Sequence, residues 1–301
     1  MRLWDYHTHS RWCGHATGTP SQYVLAARRA GLSEVGLTPH FPMAALPEWF
    51  RHNAPPLEAF PKVMMDVETA RELAAREGWT TGAGALSVKL GIELDYYGPT
   101  FPLACRLAAP YLELLDYVVG SVHVLPLPGF GGVEKSGGGV RSFDVTAVDD
   151  DADPDAFERA GPAEVHLAYW EAERELVRSG FFDVVGHADS IKASGVAVPE
   201  DQGDDVWEAV CRFVDALDGS SVVVEVNSAG LRKWSCREQS PGEAIVRELV
   251  RREVPLTLGS DAHRPADVGR DLDVVARLLR RLGPVRLAKF SRREASLVAL
   301  R

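Results

Sequence analysis

The chain has 301 residues, 46% of them hydrophobic and 25% charged, with a formal net charge of −10. That size suits one large globular domain or two small ones, and the acidic balance without any Lys/Arg cluster argues against a nucleic-acid partner. Cys13, Cys105, Cys211 and Cys236 lack CxxC spacing, the opening MRLWDYH carries no signal segment, and no apolar run approaches the roughly 20 residues of a membrane span; the expectation is a soluble, reduced, cytoplasmic protein with no membrane contact.

In chain order, short apolar runs alternate with longer amphipathic stretches. Strands are predicted over residues 3–7, 34–40, 87–96, 116–125, 182–189, 221–228 and 255–263. Helices are predicted to start at Thr19-Pro20, at Pro162 and at Ser240-Pro241, each a proline-led first turn, with Gly31 and Gly180 placed as C-terminal caps. Near-continuous apolar strands separated by helices imply a parallel sheet covered on its outer face. Seven such units favour an α/β barrel formed by the whole chain, 1–301. Residues 126–161, glycine-rich and then acidic, break the pattern and read as an irregular insertion. The segment after Pro284 reads as a last strand or helix packed on the barrel, with no role assigned.

The histidines recur at the C-terminal ends of these strands. His7 and His9 end the first and His40 the second; Glu93 lies near the end of the third; His123 and His187 end the fourth and fifth; Asp261 and His263 end the seventh. In barrels that rim carries the βα loops and the active site. Residues two apart on an extended strand point the same way, so His7 with His9, and Asp261 with His263, are expected to grip one region. An isolated HxH means little, but convergence of so many donors on one rim points to a metal site. Of the nine histidines, His52 in a loop and His166 on a helix lie outside the set and read as surface residues; Cys13, without a second cysteine, reads as an incidental small residue. Imidazole with carboxylate suits Zn, Fe or Mn, and there are too many donors for one ion, so two or three divalent ions are expected, with Glu93 able to bridge two of them.

The motifs DYHTHSRWCGH, GLTPHFP, GIELDYY, GSVHVL, VVGHADSIK, EVNSAGLRK and LGSDAH together resemble the polymerase and histidinol phosphatase (PHP) superfamily, and GHADSIK with NSAGLRK resembles its histidinol-phosphate phosphatase branch. The resemblance implies a distorted seven-stranded (β/α)7 barrel, TIM-like, with a trinuclear metal centre. It implies one metal on His7, His9, Glu93 and Asp261, a second on Glu93, His123 and His187, and a third on His15, His40 and His263. The expected reaction is hydrolysis of L-histidinol phosphate to L-histidinol and phosphate, in which a hydroxide bridging two metals attacks phosphorus and Asp261 and Glu93 serve as catalytic groups. By analogy with the branch, Lys192 and Arg232 would hold the small phosphorylated substrate with Asn227 beside them; otherwise the two cations are ordinary surface residues. A phosphoesterase acting on nucleotides or another small ester is the alternative. An amidohydrolase would call for a bridging lysine, and a barrel reduced to a binding module would have lost some ligands.

Overall fold

The fold is described from a computed structural model over residues 1–126, 142–144, 161–194, 203–233 and 236–300. Seven strands run parallel in the order β1 (Trp4–Asp5), β2 (Glu34–Leu37), β3 (Ser87–Asp95), β4 (Tyr117–Ser121), β7 (Val184–Val185), β8 (Val223–Asn227) and β9 (Leu256–Gly259). The first and last of these are also joined: Tyr6 N–H donates to Leu258 O at 2.9 Å, and Thr8 bridges Ala262. All five residues of β4, all five of β8 and all four of β9 are buried, because barrel interior covers one face of each strand and helices the other.

Among the described residues the helices are α1 (Pro20–Arg29), α2 (Phe60–Arg76), α3 (Phe101–Ala108), α4 (Pro162–Arg178), α5 (Asp204–Leu217), α6 (Glu243–Arg251) and α7 (Leu272–Leu282). Thr19 caps α1 in a reciprocal box with Gln22, as its sequence predicts. The start predicted at Ser240-Pro241 is displaced. Helix α6 begins at Glu243 because Ser240 and Asn227 exchange two backbone hydrogen bonds, of 2.7 and 3.0 Å, which hold Ser240 in an antiparallel bridge.

Three aromatic rings pack together in the core. Tyr117 sits 5.0 Å from Tyr6 and 5.5 Å from Phe290, centroid to centroid, and its hydroxyl donates to Tyr6 O at 2.7 Å. A Cβ at Gly36 would lie 1.7 Å from that hydroxyl, so β2 must carry glycine there.

The C-terminal segment forms a hairpin of β10 (Arg286–Ser291) and β11 (Glu294–Ala299). It crosses the N-terminal ends of the barrel strands: Leu287 pairs with Leu256, Lys289 Nζ donates to Glu34 Oε1 at 2.5 Å, Arg293 N–H donates to Asp116 O at 2.8 Å, and Arg293 Nε donates to Asp183 Oδ2 at 2.8 Å. The hairpin plugs the end opposite the histidines, a role the sequence did not indicate. Within the insertion expected at 126–161, Ser142–Asp144 (β6) pairs antiparallel with Val124–Pro126 (β5); residues 127–141 and 145–160 lie outside the described residues. No helix among the described residues is long and apolar enough to cross a membrane.

Candidate metal centre

The regular strands are shorter than predicted, and most of the site residues lie just beyond them. β1 ends at Asp5, two residues before His7, and β9 at Gly259, two before Asp261. Asp261 has φ 51° and His187 φ 24°, backbone that no strand contains. The alternation expected to align Asp261 with His263 therefore does not apply. A left-handed turn does it instead, bringing His263 Nδ1 to 3.5 Å from Asp261 Oδ1. His7 and His9 converge with ring centroids 5.1 Å apart.

Glu93, at 1% exposure, is the hub. Its Oε2 lies 3.0 Å from His40 Nδ1, 3.3 Å from His7 Nε2 and 3.4 Å from His9 Nε2. Its Oε1 lies 3.1 Å from His187 Nε2 and 3.5 Å from His123 Nε2, and accepts from Ser121 Oγ at 2.6 Å. Asp261 Oδ1 is 3.2 Å from His9 Nε2 and 3.8 Å from His7 Nε2. His15 reaches the group through His263, Nε2 to Nε2 at 2.7 Å. All nine residues expected as ligands thus meet at one rim.

Whether these donors fit a cation is answered by their own bonding. His7 Nε2, His40 Nδ1 and Glu93 Oε2 are buried, face one another, and make no hydrogen bond. Buried polar atoms are as a rule paired, and three unpaired ones converging on one point fit the ligands of a cation. Donor atoms gather within 4.8 Å in three sets: His7, Glu93 and His187; His7, His9 and Asp261; and His9, His40 and His263. Relative to the expected grouping, His7 stands where His123 was placed and His9 where His15 was. Burial, with His263 and His40 alongside, holds His9 well below the ordinary imidazole range and keeps it neutral, as ligation requires. For Glu93 burial works in the opposite sense, but His40, His7 and His123 outweigh it and keep the carboxylate charged. This is a divalent-metal site by donor type.

Several supporting groups were not picked out from sequence. Asp95 Oδ1 is 2.7 Å from His123 Nδ1 and aims its Nε2 at Glu93; only its place two residues after Glu93 could have signalled it. Cys13 is not incidental: its sulfur accepts from His40 N–H at 3.3 Å and lies 3.4 Å from His9 Nδ1, and burial pushes the thiol up to about 12, so it stays protonated. Asp5 accepts from the backbone N–H of His7 at 3.3 Å and of Ser260 at 2.9 Å, tying the ends of β1 and β9 together. Nor is His166 a surface residue; it is fully buried on α4. His52 is exposed.

The proposed substrate residues differ among themselves. Lys192 is 2% exposed and donates to Asp189 Oδ2 at 2.9 Å, Glu238 Oε2 at 3.2 Å and Gln239 O at 2.6 Å, so all three of its protons are engaged within the protein. It is not a surface cation. Arg232, 20% exposed, donates to Ser260 O at 2.9 Å and to Asp271 Oδ2 at 3.2 Å, next to Asp261. Asn227 is buried, accepts from Ala229 N–H at 2.9 Å and keeps its Nδ2 without a hydrogen-bond partner.

A family model described as the PHP domain matches residues 5–229. The chain belongs to the PHP domain family. This PHP protein is 32% identical over 270 residues to a protein of Deinococcus radiodurans named probable histidinol-phosphatase, covering 89% of this chain and 88% of that one. It is 24% identical over 276 residues to the histidinol-phosphatase of Bacillus subtilis, covering 89% and 96% of the two chains. Among solved structures, the histidinol phosphate phosphatase of Lactococcus lactis, complexed with zinc, L-histidinol and phosphate, superposes with a TM-score of 0.71 at 18% identity, over 98% of this PHP chain and 99% of that one, a match of fold.

Proposed function

We propose that this PHP protein is a metal-dependent phosphomonoesterase that hydrolyses L-histidinol phosphate to L-histidinol and phosphate. The observation that carries the chemistry is Glu93 Oε2, buried without a hydrogen bond among three imidazole nitrogens at 3.0–3.4 Å. The substrate rests on the named activity of the relatives. Two or three ions, Zn, Fe or Mn, fit the donor count. Divalent cations there would supply the charge that makes water nucleophilic near neutral pH and that neutralises the phosphoryl oxygens.

The chain's own residues then have distinct work. Glu93 and Asp261 present carboxylate charge toward the centre, one from the β3 end and one from the turn after β9, and Asp261 orients the attacking water. Arg232, bonded to Ser260 O one residue before Asp261, steers the phosphate, and the unpaired Nδ2 of Asn227 is the hydrogen-bond donor beside it. Lys192 acts indirectly, by tying the turn after β7 to residues 238–239. A cytoplasmic enzyme without a nucleic-acid or membrane partner agrees with the four free cysteines and the charge of −10.

The test is a phosphate-release panel on metal-analysed protein, comparing histidinol phosphate with nucleoside monophosphates and an aryl phosphate. Highest kcat/KM on histidinol phosphate is expected. A preference for nucleotides overturns the substrate, and no release from any ester overturns the reaction.

A further inference from the structure

Glu225 is a buried carboxylate on β8, 2% exposed, that stands behind the ligands. Its Oε1 and Oε2 lie 2.9 and 3.1 Å from His7 Nδ1, and its Oε2 also accepts the backbone N–H of His187 at 2.8 Å. One carboxylate therefore joins the chain beyond β1 to the turn beyond β7. Each contact has a separate consequence. The bond at Nδ1 fixes the ring with its Nε2 toward Glu93, 3.3 Å away, and a proton held at Nδ1 would leave Nε2 to a cation. The bond at the His187 N–H holds a non-glycine residue at φ 24°, a conformation that persists only where its surroundings enforce it. The two rings stack with centroids 5.3 Å apart.

β9 makes room for this arrangement. A Cβ at Gly259 would fall 1.7 Å from Glu225 Oε1 and 2.7 Å from His7 Cβ, so glycine is the one residue that lets the carboxylate reach the imidazole. Of the three donor sets, the one formed by His7, Glu93 and His187 contains both residues that Glu225 holds, whereas the one formed by His9, His40 and His263 contains neither.

We propose that Glu225 is a positioning residue that holds His7 and His187 in ligating geometry around one cation, so that loss of its charge empties the His7–Glu93–His187 position while the His9–His40–His263 position keeps its ion. The inference rests on the reading of this rim as a metal centre. It is tested with full-length wild type, Glu225→Gln and Glu225→Asp, each loaded with Zn²⁺ alone, titrated with a competing chelator and assayed for zinc per chain; melting of the metal-free proteins is followed in parallel. A glutamine oxygen in the place of Oε2 can still accept from His187 N–H and His7 Nδ1, but it carries no charge and turns an NH₂ toward His7 Nδ1 where Oε1 stood. Glu225→Gln is expected to melt like wild type without metal yet to release zinc from the His7–Glu93–His187 position at about 10–100-fold lower chelator, while the last zinc, at the His9–His40–His263 position, leaves as in wild type. Glu225→Asp, which keeps the charge, should recover part of the difference.

Zinc released from Glu225→Gln as it is from wild type overturns the proposal, and so does weakening of every zinc together with a lowered metal-free melting point, which marks a merely structural role. If Glu225→Gln does not fold, the same comparison is made with Glu225→Asp, and wild-type zinc release from that variant overturns the proposal. Wild type that holds no zinc refutes the metal centre itself, a distinct result.

Discussion

His15 Nε2 and His263 Nε2 stand 2.7 Å apart although 248 positions separate them in sequence. Two ring nitrogens that close need a proton or a cation between them, since bare lone pairs repel. His263→Ala should therefore lower bound metal, and phosphate release should fall by at least the roughly 10–100-fold that loss of an outer partner produces. Elemental analysis beside a phosphate assay checks this; undiminished metal with full turnover would remove His263 from the ligand set.

Lys192 and Arg232 are expected to fail in different ways. Lys192→Met leaves Asp189, 1% exposed, without its ion partner, and should cost about 3–5 kcal/mol of stability. Arg232→Ala should leave the protein folded and raise KM for the phosphate ester. Denaturant melts and steady-state kinetics separate the two, and an Arg232→Ala enzyme, fully metal-loaded, with unchanged kcat and KM refutes its role.

Glu173, wholly buried on α4, is pushed up to about 8 by burial, which prevails over the opposing influence of Tyr169 and His123. The folded state thus keeps a proton that the unfolded chain releases near its ordinary value of 4.5. Stability linked to this group is complete below that value and is lost as pH climbs through about 8, at up to roughly 1.4 kcal/mol per pH unit. Glu173→Gln, which mimics the protonated form, should lose less stability than wild type between pH 5 and 9. Parallel melting profiles across that range would contradict the assignment.

Gly36→Ala tests the aromatic filling of the barrel. The new Cβ would meet the Tyr117 hydroxyl and force the ring off its bonds to Tyr6 O and Thr38, so a loss of about 1–3 kcal/mol is expected. Pairing it with Tyr117→Phe should recover part of that loss. A double variant no more stable than Gly36→Ala would show that the hydroxyl is not the obstacle.

That these donors meet was legible because chemistry and position coincide. His7, His40, His123 and His187 each follow an apolar run in a βα unit, so the parallel order of the strands carries them to one rim. Three things were not legible. The left-handed backbone at His187 and Asp261 obeys no sequence rule for non-glycine residues, so the strands end earlier than periodicity predicts. The hairpin over the far end uses Lys289 and Arg293 against Glu34 and Asp183, partners that local periodicity does not connect. The inward turn of Lys192 depends on Asp189 and Glu238, one of them 46 positions away.

Sequence by itself determined which donors this protein carries, their order, and the parallel α/β frame that holds them, since those follow from local periodicity and residue chemistry. Only the tertiary structure decided which donor atoms lie within reach of one another, that Asp95, Cys13 and Glu225 stand behind them, and that Lys192 is bonded inward. Those outcomes depend on distances of about 3 Å between residues up to hundreds of positions apart, and such distances are set by how the whole barrel closes and packs.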